Sequence, residues 1–69
     1  MVMDYTDHQY RKNIHPGLKV AIVKKEHQKT GQVTYGTVIE ILTSAAVHTQ
    51  GIKVRLESGE VGRVQFIEE

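Results

Sequence analysis

The side chains best suited to binding chemistry in this chain are basic, and they form two groups. One lies in the polar stretch KKEHQKTG and the other in GIKVRLESGEVGRV, where charged residues alternate with apolar ones. If folding brings both groups to one surface, their six fixed charges would bind phosphates through counterion release. The six candidate residues are Lys24, Lys25, Lys29, Lys53, Arg55 and Arg63.

A second interpretation of these basic residues is a solvated face without a partner. Exposed strand positions commonly carry Lys and Arg, and lysines at sheet edges prevent aggregation. The net charge is only +1, so an electrostatic argument for nucleic-acid binding must rest on where the basic residues lie. Aromatic residues make up only 6% of the chain, which is few for a base-stacking surface. Tyr35 is a candidate stacking surface for an unpaired base, although packing in the core or at a sheet edge is the favoured interpretation.

Residues that could support catalysis or hold a metal are few and scattered. The chain has no cysteine, and its four histidines, His8, His15, His27 and His48, lie in separate segments without metal-site spacing. Of the two serines, Ser58 falls in a predicted turn. We therefore expect no catalytic residues, no metal and no cofactor, and we expect that the protein is not an enzyme.

The length and composition limit the architecture. A chain of 69 residues is one domain at most and buries one thin core, which disfavours a deep enclosed pocket. No apolar run is long enough to cross a membrane, and residues 1–17 lack the apolar core of a signal peptide. The absence of cysteine fits a reducing compartment. These features predict a cytoplasmic protein without a membrane partner.

Hydrophobic patterning predicts strands separated by polar loops. LKVAIVK, residues 18–24, is typical of a strand, and so is QVTYGTVIEIL, residues 32–42, which we expect to curl at Gly36. Residues 43–50 have no clear period and predict a loop with at most one turn of helix. Residues 1–15 predict either a disordered tail or a short helix over about residues 7–13.

The stretch GIKVRLESGEVGRV predicts a β-hairpin with a two-residue turn at Ser58-Gly59. The apolar alternation slips by one after the turn, which we interpret as a bulge at Gly62-Arg63. Three consequences are expected: Val54 faces Val64, Ile52 faces Phe66, and Arg55 and Arg63 become outer-face neighbours neutralised by Glu57 and Glu60. Several short strands with no long helix then predict an all-β fold, a small SH3-like barrel of four to five antiparallel strands over residues 16–69.

Two family resemblances accompany these patterns. PGLKVAIV, a polar loop and the strand containing Gly36 together resemble, over residues 16–41, the KOW-type pattern of SH3-like barrels in ribosomal proteins and transcription factors. RKNIHPGLKVAIVKKEHQKTG, GTVIEILT and HTQGIKVRLESGEVGRV resemble the small bacterial YwbE-like family from Arg11 to Gln65, with Tyr35 and Thr49 departing from its usual residues. The second resemblance implies a barrel from a bacterial cytoplasm and supplies no activity.

The leading functional hypothesis is a non-enzymatic module that binds RNA or single-stranded nucleic acid through the six basic residues. The alternative is a protein-interaction module, since small barrels offer grooves to peptides and the loop TSAAVHTQ is mildly apolar. One contiguous positive surface would favour nucleic acid. Scattered basic residues beside an exposed apolar groove would favour a protein partner.

Overall fold

The computed structural model describes residues 7–68 and shows a closed antiparallel barrel of four strands. The strands are β1 (Lys19–Val23), β2 (Thr34–Ile41), β3 (Lys53–Leu56) and β4 (Val61–Ile67). Each strand pairs with the next, and β4 pairs back onto β1. Within residues 7–68 the helices are three short 3₁₀ segments, Asp7–Gln9, Arg11–Asn13 and Lys25–His27. The predicted all-β small barrel is confirmed.

One face of every strand supplies the core. Successive side chains in a strand point to opposite faces, so alternate apolar residues enclose a single interior. In β1, for example, Val20 and Ile22 are fully buried. The complete cluster consists of Ile14, Leu18, Val20, Ile22, Val38, Ile52, Val54, Leu56 and Val64.

Strand β2 serves two neighbours, which is how so short a chain closes a barrel. Its first half pairs with β1, including Lys19 opposite Thr37, and its second half pairs with β3, including Val38 opposite Leu56. The change of partner falls between Thr37 and Val38, one residue after Gly36, where the sequence predicts a curl. A Cβ at Gly36 would lie 2.7 Å from Leu56 Cδ1, so the strand crosses the core there with no room for a side chain. The pairing irregularity itself falls between Val38 and Glu40.

The hairpin between β3 and β4 turns at the predicted position, but its loop has three residues, 57–59, and not the two that were expected. The Gly59 amide donates to the Leu56 carbonyl at 2.8 Å, and the Leu56 amide donates to the Glu60 carbonyl at 2.8 Å. Gly59 has a φ of +92°, the left-handed conformation that such loops require at their third position.

The predicted bulge at Gly62-Arg63 is wrong. Val54 lies opposite Gly62, and the Val64 amide donates to the Ile52 carbonyl, so neither the Val54–Val64 nor the Ile52–Phe66 pairing occurs. The apolar pattern slips because Gly62 itself occupies an inward position. A Cβ there would lie 2.5 Å from the Val23 carbonyl oxygen, which explains why no apolar side chain marks the position.

Strand β4 instead carries its irregularity farther along, against β1. Ala21 lies opposite Phe66 while Ile22 lies opposite Val64, which leaves Gln65 as the extra residue. The extra residue reverses the facing of the positions that follow it. Phe66 therefore lies on the outer face of the barrel.

The N-terminal segment docks along the loop before β3. The Arg11 amide donates to the Ala46 carbonyl at 2.8 Å, and the His48 and Ile52 amides donate to the carbonyls of Gln9 and His8. Ile14 is buried, and two 3₁₀ helices stand in place of one α-helix. Residues 1–6 of the predicted tail lie outside the described residues. None of the helices in residues 7–68 is long and apolar enough to span a membrane.

Candidate nucleic-acid interface

An open cleft of about 440 Å³ lies on the outer face of the β3–β4 hairpin, next to the loop that follows β1. Three of the six candidate cations line it, Lys25, Lys53 and Arg63, and we call this surface the basic cleft. Glu26 also lines it. The two sequence groups thus meet at one surface through Lys25 from the loop and Lys53 and Arg63 from the hairpin.

The strand register positions the hairpin cations. Lys53 lies directly opposite Arg63 in the β3–β4 pair, and Val23 flanks Arg63 on the other side. Arg63 Nη1 donates to the Gly51 carbonyl at 3.1 Å, which holds the guanidinium against the barrel. Lys25 opens the 3₁₀ helix immediately after β1 and is exposed. No carboxylate of residues 7–68 forms an ion pair with any of these three cations.

Lys24 is neutralised, in contrast to its neighbour Lys25. Its Nζ lies 2.9 Å from Glu60 Oε2 and 3.6 Å from Glu26 Oε2. The hydrogen bond to Glu60 raises the pKa of Lys24, and the same bond, followed by one from Ser58, lowers the pKa of Glu60. Glu26, which also lines the basic cleft, is thus paired with Lys24 and with none of the three cations of the cleft.

Arg55 is also neutralised, by a carboxylate that the sequence did not indicate. Its Nη1 forms an ion pair with Glu40, its register partner on β2. On β4 its partner is Val61, so the expectation that Arg55 and Arg63 are neutralised outer-face neighbours is corrected. The expected neutralising residues are corrected as well, since Glu60 serves Lys24 and Glu57 forms no ion pair within residues 7–68. Lys29, the sixth candidate, is exposed in the turn that follows the 3₁₀ helix and does not line the basic cleft.

Three glutamines extend the basic cleft on one side. A second depression, which shares Val23, Gln28 and Arg63 with the first, is also lined by Gln50 and Gln65. The Gln65 side-chain amide donates to the Gln50 carbonyl at 3.1 Å. Amide side chains both donate and accept hydrogen bonds, so this side suits polar groups of a ligand. Sequence reasoning missed these residues because it selected candidate side chains by charge, and glutamine carries none.

Two aromatic side chains stand on the outer face. Tyr35 is 63% exposed and Phe66 is 61% exposed. The favoured interpretation of Tyr35 as a packed residue is therefore wrong. Phe66 was expected inside the barrel, and the extra residue Gln65 turns it outward.

Within residues 7–68 no group of three histidine, aspartate or glutamate side chains is placed to hold a metal ion. Burial lowers the pKa of His8, with Asp7 acting in the opposite direction. The arrangement of the described residues fits ionic and hydrogen-bonded binding on an open surface.

The fold places this chain among the small closed antiparallel β-barrel proteins. It belongs to the family described as "Uncharacterized conserved protein (DUF2196)", whose family model matches residues 7–67. The chain is also 56% identical over 59 residues to the uncharacterized protein YwbE of Bacillus subtilis (strain 168), covering 86% of this chain and 91% of that protein. The YwbE-like resemblance is confirmed. No solved structure matches the chain.

Proposed function

We propose that this protein is a non-enzymatic binding module for RNA or single-stranded nucleic acid, and that it uses the basic cleft. The observation that carries the proposal is the convergence of Lys25, Lys53 and Arg63 on one open cleft without an ion-pair partner in residues 7–68. Unpaired cations on a shared surface attract a polyanion because its phosphates release counterions on binding. The ligand lies across the surface and is not enclosed.

Two sequence features support the same function. Residues 16–41 resemble the KOW-type pattern, which occurs in ribosomal proteins and transcription factors. The composition without cysteine fits a cytoplasmic location, where RNA is abundant. The proposal therefore places the protein in the cytoplasm.

The second candidate function is a protein-interaction module. A mostly apolar groove between the N-terminal segment and the loop before β3, lined by Tyr10, Ala46 and Val47, favours it. Arg11 and Lys12 also border this groove. We rank it second because the three unpaired cations share one surface, which is the arrangement that favours nucleic acid.

The test is a titration of labelled single-stranded RNA, single-stranded DNA and duplex DNA at about 50 and 200 mM salt. Three neutralised phosphates predict a log–log salt slope of about −2 on a single strand, whereas six would give about −4. Lys25→Gln with Lys53→Gln should weaken binding and reduce the slope by about 1.4. Both side chains are exposed and form no ion pair within residues 7–68, so the fold should be preserved.

The matched control removes an ion pair and leaves the net charge unchanged. Arg55→Gln with Glu40→Gln should retain the wild-type affinity and slope, because the pair presents no net charge to a ligand. Absence of binding to all three nucleic acids at low salt would contradict the proposal. So would a Lys25, Lys53 double variant that binds like the wild type.

A further inference from the structure

An exposed aromatic pair lies on the outer face of the sheet formed by β2, β1 and β4. Ala21 on β1 lies opposite Tyr35 on β2 and opposite Phe66 on β4. Residues directly opposite one another in antiparallel strands point to the same face. Tyr35, Ala21 and Phe66 therefore form one row across three strands, and we call it the aromatic row.

Ala21 is the middle member of the aromatic row. Ala21 is fully buried, yet it does not belong to the core cluster that contains its neighbours Val20 and Ile22. Alternation along β1 places Ala21 on the outer side, between the two rings. The rings on either side remain mostly exposed, whereas the Ala21 methyl group is shielded from solvent. The aromatic row therefore offers a ligand two exposed rings, separated by one buried alanine.

Cations flank the aromatic row on both sides. The next outward row along the strands contains Val23, Arg63 and Lys53, so it includes two residues of the basic cleft. Two residues along a strand span about 7 Å. On the other side the next outward row contains Lys19, opposite Thr37, and Lys19 forms no ion pair within residues 7–68.

We propose that the aromatic row is a stacking platform for unpaired bases of the same strand whose phosphates occupy the basic cleft. This inference rests on the proposed function and extends it by naming the part of the nucleic acid that is recognised. The occupant follows from charge complementarity, since an aromatic surface with Arg63 and Lys53 on one side and Lys19 on the other matches a polymer that alternates flat bases with phosphates. Stacking on aromatic side chains accepts every base, so the platform selects single strands over duplexes and does not select a sequence.

The decisive ligand is an oligomer that keeps its phosphates and lacks its bases. Wild-type protein is titrated with labelled oligothymidylate of about ten nucleotides and with an abasic oligomer of the same length. Stacking predicts that the abasic oligomer binds at least about fivefold more weakly, with the same salt slope. Equal affinity for the two oligomers would overturn the platform and leave the proposed function standing.

Variants assign the loss to the two rings. Phe66→Leu and Tyr35→Leu should each weaken oligothymidylate binding by about fivefold or more and leave binding of the abasic oligomer unchanged. Ile39→Ala is the control for loss of an exposed apolar side chain outside the row, and it should not change either affinity. Circular dichroism and thermal melts establish that all three variants are folded.

A fluorescent variant reports contact directly. The chain has no tryptophan, so Phe66→Trp introduces a single indole that retains an aromatic face. Oligothymidylate should quench the fluorescence of this variant and should bind it at least as tightly as it binds the wild type. The abasic oligomer should bind the variant without quenching it.

Several outcomes would overturn the platform. One is that Phe66→Leu and Tyr35→Leu bind oligothymidylate with wild-type affinity. Another is that both oligomers quench the fluorescence of Phe66→Trp equally. A wild-type dimer that Phe66→Leu dissociates would assign the row to self-association instead. If neither oligomer binds at low salt, the proposed function fails together with the platform.

Discussion

Lys24 and Lys25 are adjacent in the chain, yet only Lys24 forms ion pairs within residues 7–68. Lys24 is held between Glu60 and Glu26, while Lys25 enters the basic cleft without an ion-pair partner in the described residues. Strand β3 repeats the contrast. Arg55 is paired with Glu40, whereas Lys53, two residues earlier, forms no ion pair among residues 7–68. The number of basic residues in a segment therefore says less about a binding surface than the positions of the carboxylates around it.

The pairing of Arg55 shows how backbone geometry determines which cation is neutralised. Val38 lies opposite Leu56, and an unbroken ladder would place Ile39 opposite Arg55. The irregularity between Val38 and Glu40 advances β2 by one residue and brings Glu40 opposite Arg55 instead. A single extra residue in β2 thus removes one cation from the surface available to a ligand.

The largest predicted effect comes from disturbing the backbone that carries the unpaired cations. Gly62 lines the basic cleft, and a Cβ there would lie 2.5 Å from the Val23 carbonyl oxygen. Gly62→Val should lower the free energy of unfolding by about 2–4 kcal/mol, because β1 and β4 must separate to admit the side chain. Urea or thermal denaturation measures the loss.

Gly59 provides the matched control in the same hairpin. It has a φ of +92°, and nothing lies within 4 Å of a Cβ built there. Gly59→Asn should lower stability by less than about 1 kcal/mol, since asparagine tolerates the left-handed region. A Gly62→Val melt as high as that of Gly59→Asn would contradict the close approach of β1 and β4.

A smaller effect should follow when one paired cation is released. Glu40→Gln leaves Arg55 without its carboxylate, on the row beside Lys53 and Arg63. We expect tighter binding of single-stranded nucleic acid and a salt slope steeper by about 0.7, at a stability cost below about 1 kcal/mol. Titration at several salt concentrations measures both affinity and slope. An unchanged slope would show that Arg55 lies beyond the path of the ligand.

The smallest predicted effect is a difference in acid sensitivity between the paired and unpaired sets. The hydrogen bond from Lys24 lowers the pKa of Glu60 in the folded state. Its contribution to stability is fully present above the unfolded pKa of about 4.3 and is lost as pH falls through the folded value. As the pH is lowered, the melting temperature of Glu60→Gln should fall less steeply than that of the wild type. The melting temperature of Lys25→Gln should fall with pH as steeply as that of the wild type. A less steep fall for this variant would contradict the contrast between Lys24 and Lys25.

The sequence was sufficient to predict the barrel and the hairpin turn, because both follow from local signals. Alternating β-branched residues predict strands at any position in the chain, and Ser58-Gly59 is a turn signal by itself. The same alternation misled the interpretation at Gly62, where an inward position holds no side chain. The Val23 carbonyl of β1 occupies that space, and the residues next to Gly62 in the sequence do not indicate this long-range contact.

The candidate site was predictable only in part for the same reason. Lys25, Lys53 and Arg63 were identifiable by residue type, and the structure places them at one cleft. Their separation from Lys24 and Arg55 depends on carboxylates brought in by strand pairing. Phe66 escaped notice as an outer-face residue because one extra residue in β4 decides its orientation.

Closure of the barrel has a consequence for how the chain reaches its native state. Strand β1 has β2 on one side and β4 on the other, so its second neighbour is the last strand of the barrel to be synthesised. Contacts between distant parts of a chain form slowly, since loop closure must come before the gain from pairing. Until β4 has been synthesised, one edge of β1 therefore has no partner strand. The barrel can close only after β4 has been synthesised, because β4 supplies the second neighbour of β1.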